Sequence, residues 1–179
     1  PKPMSRRAKL TGNSVIYWLG FILFPLSAWL FLLRSKITNP RSVATMTEKE
    51  KFAFRDYIVA LLEREGFTAK LSRMIFAQAA HETGNFTSDI FKENNNLFGM
   101  KLARVRKTTA IGENRGHAVY KSIEDSIADY WLYSKALNYL SVYSSVAAWV
   151  RELVSKKYFE AKEADYRAAV EKWHKYYFG

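Results

Sequence analysis

One acidic residue stands at the end of an unusually apolar predicted helix. Residues 74–80 (MIFAQAA) are apolar on almost every side, which is typical of a helix in the core. Leu71, Ile75 and Ala79 recur every four residues, and Glu82 continues that line three residues later. The spacing predicts a partly buried carboxyl group at the C-terminus of a core helix.

This position has a chemical consequence for Glu82. Desolvation disfavours the charged form of a carboxyl group, and the negative end of the helix dipole does the same, so the sequence predicts a raised pKa. A carboxyl group that keeps its proton near neutral pH can donate it to the leaving oxygen of a glycosidic bond. Glu82 is therefore a candidate general acid. The spacing alone leaves one alternative open, a solvated glutamate in a fraying last turn.

Patterns of other catalytic or metal-binding sites are missing from the sequence. There is no cysteine, which excludes disulfides, thiolate metal sites and cysteine nucleophiles. The histidines His81, His117 and His174 lack metal-ligand spacing. No HExxH motif, glycine-rich phosphate loop or nucleophilic-serine elbow occurs. We expect no metal and no cofactor.

The charge of the chain is unevenly distributed. The net charge is +11 over 179 residues, and 49% of the residues are hydrophobic, which is enough for a sizeable core. Residues 1–46 contain seven basic residues and no acidic one, whereas residues 47–179 are nearly balanced. Because most of the surplus flanks an apolar segment, it indicates membrane topology, and no nucleic-acid partner is expected.

That apolar segment is residues 14–33 (SVIYWLGFILFPLSAWLFLL), which carry no charge. A helix of this length is about 30 Å long and matches the bilayer core. The apolar part of a cleaved signal peptide is usually shorter, about 7–15 residues. A buried soluble helix is disfavoured because this segment is apolar on every face and also has basic residues at both ends. The sequence predicts a basic flank (1–13) and one transmembrane helix (14–34). The positive-inside rule weakly favours a cytoplasmic N-terminus, which places the domain on the wall-facing side.

After this span the sequence predicts a polar tether (35–46) and one domain (47–179). Local signals divide the domain into helices. The helix-start signals are Thr47 with Glu50, Thr68, and Ser122 with Asp125, and the helix-stop glycines are Gly66 and Gly84. Residues 101–120 are rich in β-branched and basic residues around a turn, which predicts a β-hairpin. The fold class is therefore α+β, mostly helical with a small β-hairpin.

Two linked segments resemble the glucosaminidase family of wall hydrolases (glycoside hydrolase family 73). They are residues 76–84 (FAQAAHETG) and residues 96–101 (NLFGMK), and their order and spacing agree with the family across roughly residues 50–178. The resemblance implies a lysozyme-like domain of two lobes with the substrate cleft between them. It also implies cleavage of the β-1,4 bond after N-acetylglucosamine in peptidoglycan.

The resemblance implies roles for individual residues. Glu82 matches the catalytic acid of the family. Asn96 and Phe98 match the segment that lines the cleft, and Tyr120 matches a cleft tyrosine near the reacting sugar. Asp129 matches a helix aspartate, which either contacts the substrate or holds the fold together.

The chain departs from the family pattern at two places. The family has Trp-Gly after Glu-Ser-Gly, and here Phe86 takes the place of the aromatic residue, shifted by one position. Family members often carry a second acid after a Thr-Thr pair, but Thr108-Thr109 is followed by alanine, and the nearest acid is Glu113. Glu113 is therefore a candidate general base or a solvated turn residue. A carboxyl separation of about 5–5.5 Å suits a nucleophile, and about 6.5–9.5 Å leaves room for water.

Three functions remain open from the sequence. The first is a membrane-anchored peptidoglycan hydrolase of the N-acetylglucosaminidase type. The second is a lytic transglycosylase or a lysozyme-type muramidase. The third is a non-catalytic anchored protein that binds wall or assembles a complex, for example in a secretion apparatus or a membrane-containing virion. The expected partners are peptidoglycan and, through residues 14–34, a lipid bilayer.

Overall fold

The computed structural model describes Asn39, Val43 and residues 45–138 and 141–179. The predicted basic flank (1–13), the predicted transmembrane helix (14–34) and most of the predicted tether (35–46) lie outside the described residues. Within the tether, Val43 and Met46 are buried. No helix in the described part of the chain combines the length and the apolar character that crossing a membrane requires.

The described residues form helices and one small antiparallel sheet. In chain order the elements are α1 (Glu48–Glu65), α2 (Ala69–Glu82), α3 (Asp89–Asn94), β1 (Gly112–Asn114), β2 (His117–Val119), α4 (Ile123–Ala136), α5 (Val146–Ser155) and α6 (Glu163–Phe178). This confirms the predicted α+β class with a mostly helical domain and one β-hairpin. The finer prediction of two lysozyme-like lobes stays a prediction.

Helix α1 begins and ends where its local signals predict. The Thr47 side chain accepts a hydrogen bond from the Glu50 backbone N–H, and the Glu50 carboxylate accepts one from the Thr47 N–H at 2.8 Å. Gly66 ends the helix with φ 113°, in the left-handed region. A Cβ atom on Gly66 would lie 3.0 Å from the Trp131 ring, so glycine also lets α4 approach closely.

Helix α2 is the central helix of the core. Thr68 caps its start, and most of its residues from Leu71 to Ala80 are buried. The helix packs against α6, where the Phe76 ring meets the Tyr177 ring edge to face at 4.9 Å, and against α1. Because α1 and α6 both cover α2, Glu82 is held at the end of a helix that cannot shift without disturbing the core.

The segment between α2 and α4 differs in detail from its prediction. The sequence of residues 85–100 is rich in asparagine and shows no helical period, but these residues contain α3, whose start is capped by Ser88. Phe91 on this short helix is fully buried and packs on Phe86 at 5.8 Å. The hairpin is shorter than predicted, since β1 pairs with β2 only from Gly112↔Val119 to Asn114↔His117.

Candidate active site

Glu82 is the last residue of α2, and a compact turn fixes the helix end behind it. Thr83 is the C-cap, and its hydroxyl donates to the Ala79 carbonyl at 2.6 Å. The same hydroxyl oxygen accepts a hydrogen bond of 2.9 Å from the Phe86 backbone N–H. These two hydrogen bonds of the Thr83 hydroxyl end the helix and fix the backbone at Glu82, whose side chain is half-buried.

The carboxyl group of Glu82 has an environment that favours its protonated form. Burial raises the pKa of Glu82, and a hydrogen bond from Tyr166 acts in the opposite direction without reversing the shift. The Tyr166 hydroxyl donates to Oε1 of Glu82 at 2.5 Å. Burial and the charge of Glu82 raise the pKa of Tyr166, so this hydroxyl keeps its proton and remains a donor.

The neighbouring histidine does not counteract this effect. His81 packs its ring edge to face against Tyr166, with 4.9 Å between the ring centroids. Burial lowers the pKa of His81, which favours its neutral form. A positive charge directly beside Glu82, which would stabilise the carboxylate, is therefore disfavoured.

Glu82 opens onto a cleft of about 650 Å³. Side chains from the loop after α3 and from the α5–α6 connection form much of its wall, and the lining residues are Glu82, Phe98, Gly99, Met100, Lys101, Ala103, Arg106, Tyr133, Lys157, Tyr158, Phe159 and Glu160. Gly99 has φ +61°, and a Cβ atom there would lie 3.7 Å from Oε2 of Glu82. Glycine thus permits the left-handed backbone and keeps the space beside Oε2 open.

Asn96 shapes the loop that carries Gly99. Its Nδ2 donates to the carbonyls of Met100 and Ala118, both at 2.9 Å. Its Oδ1 accepts from the backbone N–H groups of Phe98 at 3.3 Å and Met100 at 3.1 Å. Asn96 is 1% exposed and is not among the cleft-lining residues. The structure therefore places this predicted substrate-binding residue behind the loop, which it ties to the hairpin.

Phe98 lines the cleft, but most of its ring is covered. The ring stacks on Tyr130 with 4.0 Å between centroids, and the residue is 2% exposed. The Tyr130 hydroxyl donates to Oε1 of Gln78 at 2.9 Å, one turn before Glu82 on α2. The Tyr158 hydroxyl donates to the Phe98 carbonyl at 2.8 Å. Phe98 is thus held from two sides and fixes the loop relative to α2.

Tyr120 and Asp129 lie together in a buried polar cluster. The Tyr120 hydroxyl donates to Oδ2 of Asp129 at 2.8 Å, and Arg106 donates to both Asp129 oxygens at 2.7 and 2.9 Å. Burial acts to raise the pKa of Asp129, but hydrogen bonds from Arg106, Thr108 and Tyr120 outweigh it and the net shift is downward. Of this cluster, Arg106 lines the cleft, whereas Tyr120 and Asp129 are not among the lining residues.

The structure does not bring Glu113 and Phe86 to the cleft. Glu113 lies in β1, where its exposed carboxylate pairs with Arg104 at 3.0 Å. Phe86 is fully buried and packs on Phe54 at 5.0 Å and Phe76 at 5.4 Å. Phe86, which the resemblance makes a candidate substrate-binding residue, lies in the core because of the left-handed turn at Gly84, Asn85 and Phe86.

The residues that follow α5 line the cleft, although no sequence pattern marks them. Tyr158, Phe159 and Glu160 line the cleft, and the Phe159 ring stacks on Tyr166 at 3.7 Å with an interplanar angle of 7°. Residues 156–162 join two helices and have no periodic pattern, so nothing local indicated their position. Tyr166 belongs to the buried face of α6, and no sequence signal marks its hydroxyl as a partner of Glu82.

A second depression of the described structure is not acidic. A second depression of about 620 Å³ lies among α2, α5 and α6, and its lining residues include no carboxylate. Among residues 45–138 and 141–179, no three or more histidine, aspartate or glutamate side chains are grouped so that they could hold a metal ion. The cleft at Glu82 is therefore the candidate active site.

Comparison with known proteins supports this choice of region. The family model named Glucosaminidase, described as mannosyl-glycoprotein endo-beta-N-acetylglucosaminidase, matches residues 55–178, which include every cleft residue named above. A segment of 57 residues is 40% identical to Protein bax of Escherichia coli (strain K12). The match covers 32% of this chain and 21% of that protein, so the chain spans about a fifth of the relative's length. No solved structure matches the chain significantly.

Proposed function

The chain belongs to the glucosaminidase family, and from this membership we propose that it is a peptidoglycan hydrolase with Glu82 as general acid. The bond cleaved is the β-1,4 linkage after N-acetylglucosamine, and the domain is lysozyme-like. The observation that carries the proposal is the position of Glu82, a carboxyl group with a raised pKa at the end of a core helix and open to a cleft. Such a group can protonate a leaving oxygen near neutral pH.

The contacts of the two Glu82 oxygens indicate which oxygen carries the proton in this proposal. Oε1 accepts the hydrogen bond from Tyr166, so this oxygen is occupied. Oε2 faces the open space beside Gly99. The transferable proton therefore resides on Oε2, and Tyr166 orients the carboxyl group so that this proton points towards the sugar.

Charges in the cleft support an anionic glycan as the substrate. Lys101 and Lys157 line the cleft together with Glu82, Glu160 and Arg106, whose charge is paired with Asp129. Peptidoglycan carries carboxylates on its peptide stems, and basic side chains attract such a polymer. Tyr133 and Phe159 are half-buried in the same wall and offer aromatic surface to a pyranose ring.

Replacement of Glu82 by glutamine tests the proposal. Glu82→Gln keeps the size of the side chain and an acceptor for Tyr166 but removes the transferable proton. We expect release of reducing sugars from purified peptidoglycan to fall by about 10²–10⁴-fold, the usual contribution of a general acid. Glu171→Gln, at an exposed position on α6, is the matched control and keeps wild-type activity. A Glu82→Gln protein that is folded and fully active would remove Glu82 from the mechanism.

A lytic transglycosylase is the second candidate, and one observation favours it. Such an enzyme needs a single acid, and the predicted hairpin acid, Glu113, is not among the residues that line the cleft. The two functions differ in their products, because a transglycosylase leaves anhydro-muramyl ends and a hydrolase leaves reducing ends. Mass spectrometry of fragments from purified peptidoglycan separates them.

We further propose that residues 14–34 anchor the protein in a membrane, with the domain on the wall-facing side. The support is the uncharged apolar segment of residues 14–33 and the basic residues that flank it. In cells expressing the full chain, we expect alkaline carbonate to leave the protein in the membrane pellet. We also expect protease to reach the domain only from the wall-facing side. Extraction by carbonate would contradict the anchor.

A further inference from the structure

Glu160 is the second carboxylate of the cleft at Glu82. Among the described residues that line this cleft, Glu82 and Glu160 are the two acidic ones. Glu160 lies in the connection between α5 and α6, far in sequence from both the hairpin and α2. A pair of carboxyl groups facing one glycan-sized space is the arrangement that glycosidic-bond hydrolysis uses.

The two residues before Glu160 are anchored to the same structure that positions Glu82. The Tyr158 hydroxyl donates to the Phe98 carbonyl at 2.8 Å, on the loop that carries Gly99. The Phe159 ring stacks on Tyr166 at 3.7 Å, and Tyr166 donates to Glu82. The backbone that leads into Glu160 is therefore fixed relative to the carboxyl group of Glu82 through two separate contacts.

The surroundings of the two carboxyl groups differ in the way that an acid and a base require. Glu82 is half-buried and bound by Tyr166, whereas Glu160 is exposed and accessible to water. Within the described residues, Glu160 makes no hydrogen bond or ion pair, so its oxygens are available to a water molecule. Unlike environments for two carboxyl groups in one site commonly separate their roles.

The other candidate acids are engaged elsewhere. Glu113 pairs with Arg104 on the hairpin and does not line the cleft. Asp129 accepts hydrogen bonds from Arg106 and Tyr120 and is completely buried, so it has no free access to substrate water. Of these acids, Glu160 is thus the one that both lines the cleft and is exposed to water.

We propose that Glu160 is the general base of the reaction and activates the water that attacks the sugar. This inference rests on the proposed function. The water oxygen forms a bond to C1 of the N-acetylglucosamine unit while the C1–O4 bond breaks, one water proton passes to Glu160, and the proton on Glu82 passes to O4. No oxidant or further reactant is needed. Direct attack by water inverts the configuration at C1.

Kinetics of the full chain on purified peptidoglycan test the assignment. Glu160→Gln keeps the shape but not the basicity, and we expect kcat to fall by about 10²–10⁴-fold with little change in KM. Glu171→Gln is the control for a surface glutamate on the neighbouring helix and keeps wild-type kinetics. In Glu160→Ala, added azide replaces the missing base and water as the nucleophile, so turnover recovers and mass spectrometry detects a glycosyl azide.

The outcomes distinguish this inference from the proposed function. Three results together support Glu160 as the general base: kcat falls in Glu160→Gln, azide restores turnover in Glu160→Ala, and proton NMR shows an inverted product. Wild-type kcat in Glu160→Gln while Glu82→Gln is inactive would overturn the base and leave the hydrolase intact. Retained configuration or anhydro-muramyl products from the wild type would also overturn it. Full activity of Glu82→Gln would overturn the proposed function itself.

Discussion

The Tyr166 hydroxyl on α6 donates a hydrogen bond of 2.5 Å to Oε1 of Glu82, 84 residues earlier at the end of α2. The Tyr166 ring is itself held by Phe159, whose ring stacks on it with 3.7 Å between the centroids. Because α2 and α6 pack along each other in the core, this contact is built into the fold and does not depend on a mobile loop. The contact both orients the acid and tunes its pKa.

Removing the Tyr166 hydroxyl should change the pH dependence of catalysis. The hydrogen bond lowers the pKa of Glu82, so Tyr166→Phe should raise that pKa further. A general acid must be protonated, so the alkaline limb of the kcat/KM profile should move to higher pH. Loss of one hydrogen bond to a carboxyl group, about 1.5 kcal/mol, should also lower kcat about tenfold.

Tyr177→Phe is the matched control for that experiment. The Tyr177 hydroxyl donates to Oδ1 of Asn85 at 2.6 Å, and Tyr177 does not line the cleft. Its removal should leave the shape of the kcat/KM profile unchanged. An alkaline limb that stays in place or moves to lower pH in Tyr166→Phe would contradict the assigned role of Tyr166.

Glu82 should also make the stability of the folded state depend on pH. Burial raises its pKa in the folded state above the value in the unfolded chain, so the folded state holds this proton more tightly. The resulting contribution to stability is fully present below the unfolded pKa and is lost as pH rises through the folded pKa. The melting temperature of Glu82→Gln relative to wild type should therefore increase as pH rises from about 4, the unfolded pKa, to above the folded pKa, since glutamine does not titrate. A constant difference across this range would argue against a raised pKa.

Asp129 should matter for stability because it is completely buried among donors. Asp129→Asn removes the charge that pairs with Arg106, and we expect a loss of about 3 kcal/mol in the free energy of unfolding at neutral pH. Since the folded pKa of Asp129 is lowered, its contribution is present above the unfolded pKa and is lost as pH falls through the folded pKa. The difference between the two proteins should therefore shrink in acid.

Urea unfolding of Glu113→Gln provides the comparison for Asp129→Asn. The Glu113 pair with Arg104 is exposed, and such pairs contribute about 0–1 kcal/mol. Equal losses of unfolding free energy in Asp129→Asn and Glu113→Gln would show that the buried Asp129 cluster does not stabilise the fold more than the exposed pair.

Glycine at position 99 should be needed both for the left-handed backbone there and for substrate access to Glu82. Gly99→Ala forces an L-residue to φ +61°, at a cost of about 1–2 kcal/mol, and places a methyl group 3.7 Å from Oε2 of Glu82. Gly116→Ala imposes a similar strain at φ +74°, but no atom lies within 4 Å of the added methyl group. Both variants should melt earlier, and only Gly99→Ala should lose kcat/KM, by about tenfold or more. Equal activity in the two would contradict the open space at Oε2.

Local signals predicted the helix boundaries well. The capping box of Thr47 with Glu50, the stop at Gly66 and the cap at Ser122 each depend on side chains within a few residues of the backbone groups they satisfy. Helix α3 escaped prediction because six residues are too few to show a helical period. It is stabilised instead by burial of Phe91 against residues distant in sequence.

The position of Glu82 was predictable, but its surroundings were not. The apolar period of α2 is enough to predict a desolvated carboxyl group at the helix end. Its partner Tyr166 and the nearby Glu160 depend on how α2, α5 and α6 pack, which no local pattern encodes. Phe86 shows the opposite case, because the resemblance gives it the place of the family's aromatic residue, but the turn after Gly84 directs its ring into the core.

The pKa of Glu82 tests its role as general acid most directly. Carbon-13 NMR can follow the Glu82 carboxyl carbon through a pH titration, with Glu82→Gln identifying its signal. We expect a pKa above that of an ordinary exposed glutamate, and an alkaline limb of kcat/KM on peptidoglycan at the same pH. A pKa at or below the ordinary glutamate value, or a catalytic limb that does not follow it, would contradict Glu82 as the general acid.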